Sequence, residues 1–122
     1  MTVLIVDDHE DTAIVTAFLL ADRGMQPRVA LGGAAALTSI HESPPDAILL
    51  DLMMPEMDGY EVLRRLKADP ATRPVPVLLH TAGGYPTDDT EARKLGAAGL
   101  IAKGKVKPDE LAARLCAVAA HC

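Results

Sequence analysis

Ala47-Ile48-Leu49-Leu50-Asp51-Leu52-Met53-Met54-Pro55-Glu56-Met57-Asp58-Gly59 is the stretch that decides how this chain folds. Residues 47–50 form an apolar run too short for an ordinary helix, bounded by Pro44-Pro45 on one side and Pro55 on the other. That pattern predicts a strand buried on both faces. Asp51 then stands at its carboxyl end. Ligands of an open parallel sheet bind beyond that end, and aspartate is almost never fully buried without a partner, so Asp51 calls for a function rather than a packing role. Pro55 bars a continuous helix and Asp58-Gly59 is a turn pair, so a sharply turning loop must separate Asp51 from the helix that opens near Tyr60.

The same alternation extends in both directions. Thr2 to Val6 reads as a central strand delivering Asp7-Asp8, and the helix after it carries Ile14, Val15, Phe18 and Leu19 on one face and stops at Gly24. Val29-Ala30-Leu31 is a weak second strand closed by Gly32-Gly33, and Ala34 to Glu42 is an alanine-rich helix. Beyond the loop, Val62, Leu63 and Leu66 mark a third helix ended by Pro70, and Val75 to His80 forms a strand running into Thr81. Thr87 to Leu95 is a charged helix closed by Gly96, Gly99 to Ala102 a short strand ending on Lys103, and Asp109 to His121 the last helix. Five strand-helix alternations predict an α/β domain whose parallel sheet has right-handed crossovers and helices on both faces.

Composition narrows the function. The 122 residues suit one domain spanning 1–122, and with 49% hydrophobic but only 2% aromatic residues the core must be built from Val, Ile, Leu, Met and Ala. A net charge of −5 with no basic stripe argues against a nucleic-acid partner. No apolar run approaches a membrane span, and the start on a strand without a charged leader is expected of a cytoplasmic, stand-alone chain. Cys116 and Cys122 are poorly placed to bridge, one in a helix and one at its end, and are expected to be reduced.

A parallel sheet exposes every strand's carboxyl end on one edge, so Asp7, Asp8, Asp51, Thr81 and Lys103 converge despite their distance in sequence. Clustered carboxylates need a counter-charge, which a hard divalent cation supplies through oxygen ligands; magnesium, content with one or two carboxylates plus waters and a phosphate, is the natural candidate. A remaining carboxylate can attack a phosphoryl donor and form an acyl phosphate, while metal, ammonium and hydroxyl take up charge on the transferred oxygens.

These motifs together, in this order from Thr2 to the last helix, resemble the receiver domain of two-component response regulators, in particular the single-domain chemotaxis-regulator type. The resemblance implies a flavodoxin-like, doubly wound (βα)5 fold with a five-stranded parallel sheet in the order 2-1-3-4-5. It further implies that Asp51 is the phosphoacceptor, that Asp8, Asp51 and the Met53 carbonyl ligate magnesium, and that Asp7 reaches the ion through water. Lys103 would pair with the phosphoryl group, Thr81 would donate its hydroxyl and move inward on activation, and the amides of Met53 and Ala82 would complete the cradle. The implied partners are a sensor histidine kinase or histidine phosphotransfer protein and an unknown downstream protein, with no nucleic acid or membrane, for a monomer or weak dimer that signals rather than acting as an enzyme.

Two positions depart from that family. Leu100 stands where receivers carry Tyr or Phe, and Gly104 where a cis proline commonly follows the lysine; a cis non-proline bond would cost about 2.5 to 4 kcal/mol, so a different loop is expected. Lys105 is a competitor for the pocket, but Lys103 directly follows the apolar strand. A degenerate receiver that binds partners without phosphorylation is one alternative. A magnesium phosphatase of the haloacid-dehalogenase type is another, although it needs an acid where Met53 stands. A nucleotide-binding domain would need a glycine-rich loop where Asp7-Asp8 would repel a pyrophosphate. Taken singly, Asp7-Asp8 reads as a helix start, Thr81 as a turn hydroxyl, Lys103 as a surface lysine and the methionines as loop packing. His9, His41, His80 and His121 are scattered and receive no role.

Overall fold

The computed structural model describes residues 1–119. The elements are β1 (Thr2–Val6), α1 (Glu10–Ala21), β2 (Gln26–Ala30), α2 (Gly33–Glu42), β3 (Ala47–Asp51), α3 (Gly59–Ala68), β4 (Val77–Thr81), α4 (Asp89–Lys94), β5 (Gly99–Ala102) and α5 (Pro108–Ala119). The strands form one parallel sheet in the order β2-β1-β3-β4-β5, as the expected fold requires. Successive side chains of a strand point to opposite faces. Leu4, Val6, Ile48, Leu50, Val77 and Leu79 therefore pack with Ile40, Val62, Leu63 and Leu66 from α2 and α3, while Val3, Ile5, Leu49, Leu78 and Ile101 pack with Ala13, Leu20, Leu111 and Leu115 from α1 and α5. Every residue of β3 is buried. At roughly 2 kcal/mol for each large aliphatic side chain fully buried, this strand anchors both halves of the core and fixes where Asp51 emerges.

The starts of α3 and α4 are set by acidic caps. Asp58 Oδ1 accepts from the Glu61 amide at 3.0 Å, and Asp88 Oδ1 from the Glu91 amide at 2.9 Å, each satisfying a first-turn N–H that has no partner within its helix. The second cap shortens α4 relative to the expected Thr87 to Leu95. Thr87 stays outside the helix, its amide and hydroxyl both donating to Glu91 Oε1 at 2.8 and 2.5 Å.

Other boundaries also differ. The second strand is longer and earlier than Val29 to Leu31, because Pro27 and Arg28 sit in an edge strand, where a missing N–H is tolerated. The fourth strand begins at Val77 rather than Val75, after Pro76, which can only accept. The largest correction is on α1: Ile14, Val15 and Phe18 are exposed, and the helix buries Ala13, Thr16 and Leu20 instead. Cys116, in the last turn of α5, is disulfide-bonded, contrary to the expected reduced state. The expected positions of His121 and Cys122 lie outside the described residues. Among the described residues no helix is long and apolar enough to cross a membrane.

Candidate functional site

The alternation that sorts the core also assembles the site. Asp7, Asp51, His80 and Lys103 each lie two residues beyond a side chain facing α1 and α5, namely Ile5, Leu49, Leu78 and Ile101, so all four belong to that face at the strand tips. Lys103 Nζ lies 2.9 Å from Asp7 Oδ2 and 3.5 Å from Asp51 Oδ1, and so spans the two acids. Asp7 and Asp51 are only 1% and 3% exposed, which makes this pairing a necessity rather than a surface ornament.

The two buried carboxyls are pushed in opposite directions. Burial raises both; at Asp7 the Lys103 hydrogen bond and the His9 amide, at 2.9 Å from Oδ1, outweigh it and hold the group below the ordinary aspartate range. At Asp51 burial prevails over the Lys103 charge and the Met53 amide, which donates at 3.3 Å, and the nearby Asp7 charge adds to the rise. Asp51 is thus the more basic oxygen nucleophile of the two.

Asp8 is only partly buried, yet its Oδ1 is a buried oxygen with no hydrogen-bond partner among the described residues. Asp7, Asp8, His9 and Asp51 each offer a donor atom, and all four atoms lie within 4.8 Å of one another. An acceptor left without a hydrogen inside an acidic cluster fits a cation, so these residues can hold a metal ion.

The loop after Asp51 is held by close approach. A Cβ on Gly59 would stand 2.3 Å from the Asp51 carbonyl oxygen and 2.7 Å from Leu52 Cα, so only glycine lets α3 begin against the strand tip. Asp58-Gly59 is therefore more than a turn pair: its aspartate caps α3 and its glycine makes room for the loop. Met54 is buried and Met57 packs on the core, as expected of loop methionines, but Met53 is 69% exposed. After Lys103 the chain turns with Gly104 at φ 73° and Lys105 N–H donating to Ala102 O at 3.2 Å, a turn in which glycine takes the left-handed place. Lys105 is exposed and does not enter the pocket.

Thr81 is buried at the end of β4, but its hydroxyl is engaged locally. It donates to Gly83 O at 2.9 Å and accepts from Gly83 N–H at 3.2 Å. No hydrogen bond joins it to Asp51 among the described residues. Further along the same loop, the Tyr60 hydroxyl on α3 donates to Tyr85 O.

Two histidines without an expected role belong to this region. His80 is the register partner of Asp51 across β3 and β4, and burial with the neighbouring Lys103 charge pushes its ring down to about 4, so it is neutral at physiological pH. Its place immediately before Thr81 in an alternating strand was the available signal. His9 places Nδ1 3.4 Å from Asp7 Oδ1 and 3.3 Å from Asp8 Oδ1. Clefts of about 590 and 240 Å3 flank the tips, one bordered by Asp8, Gly32-Gly33 and Met57, the other by Thr12, Val15, His80 and Lys103.

Comparison with known proteins finds relatives across most of the chain. The family model of the response regulator receiver domain matches residues 3–116. The chain is 39% identical over 101 residues to the response regulator PleD of Caulobacter vibrioides, covering 83% of this chain and 22% of that protein. It is 35% identical over 116 residues to the phosphate regulon transcriptional regulatory protein PhoB of Escherichia coli, covering 95% of this chain and 50% of that protein. The chain thus spans half or less of these relatives' length. The crystal structure of a putative response regulator from Chloroflexus aurantiacus superposes with a TM-score of 0.88 at 33% identity, covering 98% of both chains. With the motifs, the sheet order and the acid-lysine cluster all in the matched span, the chain belongs to the response regulator receiver domain family.

Proposed function

We propose that Asp51 accepts a phosphoryl group from the phosphohistidine of a sensor kinase or phosphotransfer protein, and that the resulting acyl phosphate switches the binding of a downstream protein. Receiver domains are phosphoacceptor modules of two-component signalling, and the observation that carries the residue assignment is the buried Asp51 carboxyl within 3.5 Å of Lys103 and beside an acidic cluster fit for a cation. An Asp51 oxygen forms the new bond to phosphorus as the phosphorus-nitrogen bond breaks; its electron pair goes to the donor's ring nitrogen, which takes up a proton. Lys103, already poised between Asp7 and Asp51, neutralises one transferred oxygen, and the Met53 and Ala82 amides donate to others. Asp8, Asp51 and the Met53 carbonyl would hold magnesium, with Asp7 reaching it through water, and the ion would supply charge to the phosphoryl oxygens. The exposed Ile14, Val15 and Phe18 on α1 support a protein donor, since apolar surface beside the site is of the kind a partner covers.

Incubation with a small phosphodonor and magnesium, read by intact mass, tests the reading: one phosphoryl increment is expected, and its absence refutes it. Asp8→Ala is expected to weaken magnesium binding about tenfold or more and Thr81→Ala far less, because a carboxylate ligates the ion whereas the hydroxyl meets only the phosphoryl group. Calorimetric titration decides this; unchanged affinity in Asp8→Ala removes Asp8 from the site.

For Thr81 to reach the phosphoryl group its hydroxyl must leave Gly83, giving up hydrogen bonds worth about 1 kcal/mol each that charge-assisted ones replace. Phosphorylation is therefore expected to reorder residues 81–87, where Gly83-Gly84 gives backbone freedom, more than the surroundings of Leu100, which carries no ring to turn. Backbone amide shifts on adding a phosphoryl mimic check this. Shifts centred on Leu100 and α5, with residues 83–85 unmoved, would contradict it.

A further inference from the structure

We propose that His9 is itself a ligand of the cation site, and that its nitrogen makes the site take zinc in preference to magnesium. The proposal rests on the reading of the Asp7-Asp8-Asp51 cluster as a divalent-cation site and concerns which ion the chain selects. His9 Nδ1 stands 3.4 Å from Asp7 Oδ1 and 3.3 Å from Asp8 Oδ1. Two donors bound at about 2.0 to 2.1 Å to one tetrahedral zinc stand about 3.3 Å apart, so His9 Nδ1 has that spacing to each of the two acids, in a cluster whose donor atoms all lie within 4.8 Å of one another. Asp8 Oδ1, the buried oxygen without a hydrogen bond, is one of them. Asp51 belongs to the same cluster and offers a further oxygen.

The backbone holds this arrangement. His9 N–H donates to Asp7 Oδ1 at 2.9 Å, and His9 is the residue preceding the first turn of α1, so its ring hangs over the acid pair. The ring is 69% exposed, leaving the edge away from the acids open to water. Magnesium favours an all-oxygen octahedron and gains nothing from an imidazole, whereas zinc binds carboxylate and imidazole together. With His9 beside the carboxylates, the site favours the softer ion. Zinc bound this way occupies the acids on which magnesium-dependent phosphoryl uptake depends.

Separate titrations of wild type and His9→Asn with zinc chloride and with magnesium chloride, followed by calorimetry and by the His9 ring resonances, test the proposal. Asparagine is well suited to the position before a helix, so the variant should fold. Zinc is expected to bind wild type about tenfold or more tighter than magnesium and to shift the His9 ring, which sets this site apart from zinc on His41; His9→Asn should lose about tenfold of zinc affinity and keep its magnesium affinity. If magnesium binds but His9→Asn leaves zinc affinity unchanged, or zinc leaves the His9 ring unmoved, the role of His9 is overturned while the magnesium site stands. If neither ion binds wild type, both fall.

Discussion

Asp51→Asn is expected to abolish the phosphoryl mass increment and, at the same time, to make the protein more stable. The first effect follows from removing the only carboxylate proposed as nucleophile. The second follows from the carboxyl's raised pKa, caused first by burial. A group whose pKa is higher in the folded than in the unfolded state binds its proton more tightly when folded, so its contribution falls as pH rises from the ordinary aspartate value through the folded one. Above the ordinary aspartate range the ionised Asp51 carboxylate is the destabilising form. Asparagine cannot ionise, so the variant is expected to melt at a higher temperature than wild type, by a few degrees as for other single stabilising substitutions. Asp7 has the opposite sign: its lowered pKa gives stability that is full above the unfolded value and lost as pH falls through the folded one. Thermal melts with and without the substitution, at neutral pH and near pH 4, should show the gain at neutral pH and its shrinkage in acid. A variant that gains phosphate to the wild-type extent places the nucleophile elsewhere.

Gly59→Ala is expected to cost about 3 kcal/mol, although it adds one methyl group to a position whose neighbours are largely its own loop. The new Cβ would meet the Asp51 carbonyl oxygen at 2.3 Å and Leu52 Cα at 2.7 Å, and both are backbone atoms of the strand end, with no flexible side chain to yield. Relief must come from moving α3 or the loop, which also disturbs the Gly59 N–H bond to Leu52 O at 3.0 Å. Because the displaced carbonyl belongs to Asp51, phosphorylation should slow along with the loss of stability. Denaturant unfolding and the rate of mass increment measure the two. Wild-type stability in Gly59→Ala would show that the loop has slack the structure does not display.

The sheet and the strand-tip residues were legible in the sequence because both rest on short-range patterns. Apolar runs at residues 3–6 and 47–50 are continuous, so burial on both faces needed no tertiary information, and the acids directly follow them; residues 99–102, an edge strand buried on one face, lead to Lys103 in the same way. The face of α1 was not legible. Ile14, Val15 and Phe18 have the spacing of a core stripe, as do Ala13 and Leu20, and periodicity alone cannot say which stripe meets the sheet when a helix is apolar on several sides. Thr81 shows the same limit at the site: its position in β4 followed from sequence, but its bonds to Gly83 depend on a loop of irregular backbone angles. His80 gives no metal-ligand spacing along the chain because its neighbour Asp51 lies across the sheet, whereas His9 directly follows the acids it meets, Asp7 and Asp8.

The two ends of the sheet have a consequence for self-association. An edge strand with free amides invites another chain to add as a further strand, the first step towards aggregation. In β2 the residue paired with Val3 is Pro27, which has no hydrogen to offer an incoming strand. At the opposite end, Asp89 Oδ1 accepts the Leu100 amide at 2.8 Å, and the same oxygen lies 3.2 Å from the Arg114 guanidinium, so α4 and α5 together cover that donor on β5. A Cβ on Gly99 would meet Arg114 at 2.9 Å and Asp89 at 3.0 Å, which shows how closely this cover fits the strand. With each border blunted by a different device, strand-to-strand growth of the sheet is disfavoured, and chains of this protein that do meet are left to do so through helices.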